Sequence, residues 1–191
     1  MPTSWTTPNG AIKVRLEASA SATVYDTATV AVIHRRYEDV EVDAMLCDHA
    51  EAVAGKLFIN GAGITGSYVP PQPPHFVSLA IGLVIQVPYT ETNAPHMLTV
   101  RLFNADGQQV VPFGAPDDAD PVEMKVPFNV GRPPTIQPGA AQPLSLGLNF
   151  PRFPLAVLGT YSFQIDIDGT EAKRLPFQVM TPPGMFPQIA A

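Results

Sequence analysis

The stretch that most constrains the fold is FVSLAIGLVIQV, residues 76–87. Every second residue in it is large and aliphatic, and the residues between are mostly small or mildly polar; the large ones are Val77, Leu79, Ile81, Leu83, Ile85 and Val87. A period of two with many β-branched residues predicts a β-strand with one face in the core. Because a strand this apolar needs a second sheet to cover it, the sequence predicts a two-layer β architecture.

The same alternation recurs in roughly eight to eleven short segments separated by turn signals. Clear cases are residues 97–103, residues 122–130, residues 144–150 and a closing hairpin that turns at Asp168-Gly169. Helical periodicity is almost absent, so the sequence predicts an all-β sandwich, immunoglobulin-like first and jelly-roll second. The stretch LGTY (158–161) predicts a tyrosine corner, which favours the immunoglobulin-like form.

Local signals add detail to this fold. Pro127 and Pro176 each remove a ladder donor, so their strands are predicted to be edges or bulged. The segment DHAEAVAG (48–55) is predicted to hold one helical turn before Gly55, and KLFIN (56–60) to return to strand. A proline-rich loop, VPPQPPH (69–75), leads into the strand at 76–87.

The domain organisation predicted is an N-terminal β extension over residues 1–38, a sandwich over 39–180 and an apolar, uncharged tail over 181–191. Alternation runs from Ile12 to Val32, and 21 extended residues would span about 70 Å, too long for one strand of a compact domain. Two interpretations stay open. Either residues 18–22 bend between two strands, or the segment is an arm that lies along a neighbouring chain.

Charge and composition limit the partners. The net charge of −6 argues against binding to nucleic acid or to anionic membranes. Only 15% of the residues are charged, which suits a protein inside an assembly. No signal peptide or membrane-spanning run is recognisable, so a cytoplasmic location, or a particle assembled in the cytoplasm, is expected. The single cysteine, Cys47, lies in an apolar stretch and is expected to be a buried, inert thiol.

Motifs that could carry chemistry are weak. GAGITG (61–66) matches a dinucleotide fingerprint, but Pro70 and Pro71 follow too closely for the required helix, so its glycines are better explained by a bulge or a close backbone approach. The acidic loop at 114–121 has oxygen ligands suited to a cation but lacks an EF-hand pattern; its carboxylates are Asp117, Asp118 and Asp120.

The histidines offer few acid–base pairs. His34, His49, His75 and His96 show no metal-ligand spacing. Asp48 with His49, and His96 with Glu91 or Tyr89, are the pairs that could act as acid and base, and a structural role is the simpler explanation for each. We therefore predict no catalytic, cofactor-binding or metal-binding residues and no cofactor.

Two connections, VPYTETNAPH (87–96) and FNVGRPP (128–134), are the most specific pieces of a wider pattern over residues 43–180. In order of features, this region resembles a family of small all-β bacterial proteins, largely actinobacterial, of unknown function. The resemblance implies an all-β domain and a bacterial or phage origin, and it implies no catalytic residues. Residues 1–42 lie outside it.

The function predicted is that of a non-catalytic binding or structural module. In the preferred hypothesis it is an accessory subunit of a larger bacterial or phage-like complex, or a homo-oligomer, and it contacts partners through its terminal arms and sheet edges. The alternative is a monomeric module for a small ligand, glycan or metal that uses the loops at 66–75, 89–96 and 114–121. It predicts a concave pocket lined by Tyr68, Tyr89 and His96. An enzyme would require at least two of His49, His75, His96, Glu91 and Asp48 to converge.

Overall fold

A computed structural model of the chain describes residues 5–6, 12–13, 40–116 and 118–183. The chain divides into two units, Met1–Glu38 and Asp39–Ala191, and each is described by itself. In the first unit, strands β1 (Trp5–Thr6) and β2 (Ile12–Lys13) pair antiparallel. The predicted bend at 18–22 and the apolar segment beyond Pro183 lie outside the described residues, so both stay predictions.

The described part of the second unit is built from strands. They are β3 (Glu41–Cys47), β4 (His49–Val53), β5 (Lys56–Asn60), β6 (Gly66–Tyr68), β7 (His75–Val87), β8 (Pro95–Asn104), β9 (Glu123–Asn129), β10 (Gln142–Leu155), β11 (Gly159–Ile167) and β12 (Thr170–Met180). A single 3-10 turn, Tyr89–Glu91, interrupts the β structure over these residues. The prediction of an all-β fold is confirmed.

The strands form two main sheets that face each other. One has the order β10-β7-β3, and the other has the order β6-β12-β11-β8-β9. Neighbouring strands are antiparallel except β6, which runs parallel to β12. The large residues of β7 are buried between the sheets together with those of β8, β11 and β12. Across the two layers the rings of Phe150 and Phe163 lie 5.0 Å apart, centroid to centroid. The arrangement is the two-layer sandwich that the alternation predicts.

The helical turn predicted at 48–55 is wrong. His49–Val53 is strand β4, and it pairs with β5 in a hairpin whose two-residue turn is Ala54-Gly55. Both turn residues have positive φ, 50° and 75°, as in the tight turns whose twist matches that of paired strands. These residues form a strand rather than a helical turn because β5 follows them closely in sequence and pairs with every residue of β4.

This hairpin covers the outer face of the three-stranded sheet as a third layer. Gly82 of β7 and Gly147 of β10 lie directly opposite each other in the ladder. A Cβ on Gly82 would overlap the Ile59 side chain, and one on Gly147 would overlap the Ala50 backbone. The two glycines therefore provide the space into which the hairpin packs, and Cys47 and Ala80 of the sheet are buried together with Ala50 of the hairpin.

The predicted tyrosine corner is found, and the two prolines lie on an edge strand and on a bulged strand. The Tyr161 hydroxyl donates a hydrogen bond to the Val157 carbonyl oxygen over 2.7 Å, which is the tyrosine corner. Burial raises the pKa of the Tyr161 phenol. Pro127 lies on β9, an edge strand of the five-stranded sheet. Pro176 lies on β12 before the short pairing with β6, which covers only residues 178–180, and β12 also carries a register shift.

The sandwich has two ends that differ in their connections. At one end β7 begins beside the last residue of β10, and β8 finishes beside the start of β11. The Phe113 N–H donates to the Pro154 carbonyl oxygen over 3.1 Å, which joins the connection after β8 to the end of β10. At the opposite end lie the connection from β7 to β8, the connection from β9 to β10 and the turn between β11 and β12.

Candidate functional site

His96 is the most constrained of the histidines that the sequence singles out. It is buried at the start of β8 and stacks on Phe128, with ring centroids 5.2 Å apart. Its Nδ1 lies 2.7 Å from Asp168 Oδ2 and its Nε2 lies 3.0 Å from the carbonyl oxygen of Glu91. The ring therefore meets the backbone of Glu91 rather than its carboxylate. The carboxylate partner is Asp168, which the sequence marks only as a turn residue.

The two partners of the His96 ring favour its protonated form. A backbone carbonyl and an ionised carboxylate both accept hydrogen bonds, so each ring nitrogen must donate one, and only the imidazolium carries both protons. Burial alone would lower the pKa of His96, but the hydrogen bonds to Asp168 and to the Glu91 carbonyl, with the two nearby negative charges, raise it overall. Asp168 also accepts the Met97 N–H through Oδ1 over 2.8 Å. When it is protonated, His96 donates to both groups and holds the two connections together.

Arg132 completes this end of the sandwich. Its Nε donates to Thr92 Oγ1 over 2.7 Å, its Nη2 donates to the Tyr89 carbonyl oxygen, and its guanidinium lies 4.0 Å above the Tyr89 ring. The Asn93 N–H donates to the Val130 carbonyl oxygen over 2.8 Å. The stretches VPYTETNAPH and FNVGRPP, which lie apart in sequence, therefore pack on each other. Their distinctive residues are accounted for by this packing.

The other candidate acid–base and thiol residues are dispersed. His75 is buried, and its Nδ1 lies 3.0 Å from the Pro70 carbonyl oxygen. His49 is exposed on β4, and His34 lies outside the described residues. Cys47 is fully buried with its Sγ 3.6 Å from the Ala80 carbonyl oxygen, and burial raises the pKa of its thiol. Of the five residues named for an enzyme, only His96 and Glu91 meet, through a backbone atom.

The glycine-rich and acidic motifs are placed as follows. Gly61 has a positive φ of 65°, and a Cβ there would overlap the Asp48 carboxylate, so close approach explains this glycine. The chain continues into strand β6 rather than into a helix. Asp118 and Asp120 are exposed in their loop, and Asp117 lies outside the described residues. Within the described ranges no three His, Cys, Asp or Glu side chains are grouped as metal ligands.

A buried carboxylate on the outer face of the five-stranded sheet was not foreseen. Asp166 is 1% exposed; Arg101 Nη2 donates to its Oδ2, and Gln164 Nε2 donates to its Oδ1 over 2.9 Å. Arg101 Nε lies 3.9 Å from Glu123 Oε1. Arg101 on β8 stands opposite Gln164 on β11, and Asp166 lies two residues further along β11, so the charge of Asp166 is compensated and the cluster holds β8 to β11.

The candidate interaction site is instead an end of the sandwich that is rich in exposed apolar side chains. Six of the ten exposed large apolar side chains in the described part lie where β7 begins and β6, β8 and β10 finish; they are Tyr68, Phe76, Val111, Phe113, Val157 and Leu158. Tyr68 is 64% exposed and Val157 is 65% exposed. We call this set the apolar end. Clustered exposed apolar surface of this kind marks contact sites for other molecules.

Arg152 adds a fixed cation to the apolar end. It sits in the register shift of β10, has a positive φ of 49°, and donates its backbone N–H to Ser78 Oγ over 3.1 Å. Its guanidinium lies 4.7 Å above the Phe76 ring. A positive φ is unfavourable for arginine, and such strain is found where a bulge directs a side chain to a particular place. Here it places an arginine on an exposed aromatic ring.

Beside the apolar end, the short edge strand β6 borders an open groove of about 520 Å³. The groove is lined by neutral side chains and glycine; they include Thr65, Tyr68, Thr160, Pro176, Gln178 and Met180. Tyr68 finishes β6, whereas Tyr89 and His96 lie at the opposite end, so these three do not line one pocket as the ligand-binding hypothesis expects.

The comparisons with known proteins give a family and no activity. Residues 42–180 match the model of a family described as "Family of unknown function (DUF6941)". No curated protein matches the chain. Among the described residues, no helix has the length and hydrophobicity needed to cross a membrane.

Proposed function

This chain belongs to the family of unknown function DUF6941, so its role must come from its own residues, and we propose that it is a non-catalytic protein-binding module. It acts as an accessory or structural subunit of a larger assembly, bacterial or phage-like and formed in the cytoplasm. The observation that carries this proposal is the apolar end, where exposed aromatic and aliphatic side chains lie at one end of the sandwich and an arginine stacks on one of them, Phe76.

The residue types of the apolar end support a protein partner. Aromatic side chains and arginine are enriched in the central contacts of protein interfaces, and exposed apolar clusters are uncommon on free monomers. Phe76 and Phe113 are each a little over two-fifths exposed, so each keeps a buried part that holds its orientation and a free part that a partner can cover. Side chains held in this way lose little conformational entropy when a partner binds.

The charges around the apolar end indicate the partner's chemistry. The connection that carries Val111 and Phe113 also carries exposed Asp106, Asp118 and Asp120. Exposed carboxylates on the connection that also carries apolar side chains complement a partner with apolar anchors and basic side chains. Two copies of this end would bring these carboxylates together, so we propose a different protein as the partner. The net charge of −6 supports the exclusion of nucleic acid.

A small-ligand role is the second candidate, and the groove beside β6 favours it. Its volume of about 520 Å³ falls in the range of small-molecule sites, and Tyr68 offers an exposed ring. It uses the first of the three loops named for that hypothesis. A ligand in this groove would be affected by substitution of Tyr68 but unaffected by changes at Phe113 and Val157.

The test is a capture experiment with matched variants. The full chain is used as bait in a lysate of its native host, and bound proteins are identified by mass spectrometry and then purified for affinity measurement. The double variant Phe113→Ser, Val157→Ser is compared with Phe58→Ser, because Phe58 is also exposed but lies on the β4–β5 hairpin. We expect binding at least about tenfold weaker for the double variant and unchanged for Phe58→Ser.

Two further results complete the test. Binding should weaken with added salt, because Asp106, Asp118 and Asp120 are exposed and salt screens their charges. A partner that binds wild type and the double variant equally, or one whose binding is lost with Phe58→Ser but kept by the double variant, would overturn the assignment to the apolar end.

A further inference from the structure

The outer edge of β6 presents backbone groups that have no strand partner in the described part of the chain. Thr65 and Val69 hydrogen-bond to β12 through their backbones, each over 2.9 Å. Since backbone groups alternate in direction along a strand, the N–H and C=O groups of Gly66 and Tyr68 point away from β12. Both of these residues are exposed, so the groups at this edge can be reached by another strand.

Unlike the edges formed by the other described strands of the two sheets, this one has no device against pairing. The edge strand β9 carries Lys125 and Pro127. On the three-stranded sheet, β3 carries Glu41 and Asp43, and β10 carries three prolines and a register shift. Charges, prolines and bulges of this kind discourage the addition of another strand. The segment Gly66–Tyr68 has neither a charge nor a proline, so strand addition is directed to β6.

We propose that two copies of the chain pair antiparallel through this edge, with Gly66 of each copy opposite Tyr68 of the other. Ser67 then lies on the two-fold axis, and the two five-stranded sheets join into one continuous sheet. Because both copies use the same surface, the assembly closes at a dimer.

The backbone groups of this edge are complementary to those of a second copy. In an antiparallel ladder, a residue whose N–H and C=O face the other strand exchanges two hydrogen bonds with a residue of the same kind opposite it. Gly66 and Tyr68 are both of this kind, and one residue separates them. A two-fold rotation about Ser67 therefore gives each outward backbone group of β6 a partner.

The side chains favour the same register. Opposite residues share a face of the sheet, so the Tyr68 ring of one copy lies over Gly66 of the other. Gly66 has no side chain to obstruct that ring, and an aromatic residue opposite an edge glycine covers its exposed backbone. Tyr68 is largely exposed in the single chain and has free surface for this contact.

The charge around the edge permits two copies to meet there. The net charge of −6 opposes the association of any two copies at long range. The groove beside β6 is lined by neutral side chains and glycine, so the contact itself places no like charges together. Repulsion between more distant exposed charges is screened by salt, so the dimer is expected to strengthen at physiological ionic strength.

The inference goes beyond the proposed function and does not depend on it. Phe113 and Val157, whose substitution tests the apolar end, lie outside β6. Tyr68 is the residue that the edge and the apolar end share.

Cysteine cross-linking tests the register. The two Ser67 residues would form a non-hydrogen-bonded pair with Cα atoms about 4.5 Å apart, which is within the range of a disulfide. Under oxidised glutathione, Ser67→Cys should therefore give at least about tenfold more disulfide-linked dimer than Thr65→Cys, whose counterpart lies about 13 Å further along the strand. The wild type should not cross-link, because Cys47 is fully buried.

Sedimentation velocity of the full chain from about 10 µM to 1 mM tests the dimer itself. The mass of the wild type should rise toward twice that of the monomer. Tyr68→Lys places a charge on the edge and should weaken association at least about tenfold. The matched control is Phe58→Lys, which makes the same change to an exposed ring on the β4–β5 hairpin and should leave association unchanged.

Amide hydrogen exchange followed by NMR reports on the same edge. The Gly66 and Tyr68 amides should exchange more slowly as the concentration of wild type rises. The Ser67 amide faces β12, so its protection at every concentration checks that the protein is folded.

Each result decides the matter. A wild type that stays monomeric to about 1 mM would overturn the proposal. Equal cross-linking of Ser67→Cys and Thr65→Cys would overturn the register, and a dimer that Tyr68→Lys leaves intact would overturn the β6 edge as its contact. Protection of Gly66 and Tyr68 that is independent of concentration would assign the edge to pairing within one chain and overturn the dimer.

Discussion

The side-chain amide of Asn149 hydrogen-bonds both backbone polar groups of Ala50, as a neighbouring strand would. Its Nδ2 donates to the Ala50 carbonyl oxygen over 2.8 Å, and its Oδ1 accepts from the Ala50 N–H over 3.2 Å. Asn149 is on β10 and Ala50 is on β4, so the pair attaches the β4–β5 hairpin to the outer face of the three-stranded sheet. Ser145 Oγ adds a hydrogen bond to the Gly55 carbonyl oxygen over 3.1 Å at the turn of the hairpin.

Replacing Asn149 with alanine should destabilise the protein by about 2 kcal/mol. Ala50 is buried, so the change leaves both of its backbone groups without their partner, and an unsatisfied buried polar group is costly. Urea denaturation followed by circular dichroism measures the change. Ser145→Ala, which removes one exposed bond to the same hairpin, should cost about 0.5 kcal/mol or less. Equal costs for the two variants would contradict the role given to Asn149.

The two facing glycines should differ in their response to alanine. A methyl group on Gly147 meets backbone atoms of Ala50 and Glu51, which cannot move without displacing the hairpin, whereas one on Gly82 meets the flexible end of Ile59. We expect a loss of about 2–3 kcal/mol for Gly147→Ala and about 1 kcal/mol for Gly82→Ala.

Gly131 is the control for this pair. It is exposed, and a Cβ there would have nothing within 4 Å, so Gly131→Ala should leave the unfolding free energy unchanged or slightly higher. Thermal and urea unfolding of the three variants give the order directly, and a Gly82→Ala cost above that of Gly147→Ala would show that the hairpin packs differently.

The packing of the β4–β5 hairpin on the sheet is the part of the fold that the sequence pattern does not predict. The strand at 76–87 was predictable because its alternation is long and consistent, and the closing hairpin was predictable because Asp168-Gly169 joins two alternating runs. The small residues on the other face of 76–87 were visible too. These small residues do not distinguish a face open to water from a face covered by a hairpin. The hairpin can pack there only because Gly147, on a strand far along the chain, also leaves space for it.

The candidate sites were limited in the same way. His96 was noted beside Glu91 and Tyr89, but its carboxylate partner, Asp168, is 72 residues away and looks like an ordinary turn residue. The apolar end was missed because its members come from separate connections and each is unremarkable alone. Their grouping is a product of which strands finish together, and the strand order in the sheets decides that.

The tyrosine corner gives a prediction about stability. Tyr161→Phe removes the hydroxyl that donates to the Val157 carbonyl and leaves the ring in its place against Phe177, at a centroid distance of 5.8 Å. We expect a loss of about 1–1.5 kcal/mol in urea denaturation. Tyr68→Phe is the control, since that hydroxyl is on an exposed side chain and its removal should change the unfolding free energy by less than about 0.5 kcal/mol.

The charge of His96 predicts how stability depends on pH. Because its pKa is raised in the folded state, the protonated ring contributes stability that is complete below the unfolded pKa, about 6.5, and is lost as the pH rises through the higher folded value. The unfolding free energy should therefore fall as the pH is raised above about 6.5.

Asp168→Asn tests whether the Asp168 carboxylate raises the pKa of His96. Asparagine keeps the shape of the side chain, tolerates the positive φ of 51° at this turn and removes the negative charge. In Asp168→Asn the His96 pKa, followed by NMR titration of the ring protons, should be lower than in the wild type. His96→Gln should lose the part of the pH dependence above 6.5 that the wild type shows. A wild-type unfolding free energy that rises over this range, or a His96 pKa unchanged by Asp168→Asn, would contradict an imidazolium held between two acceptors.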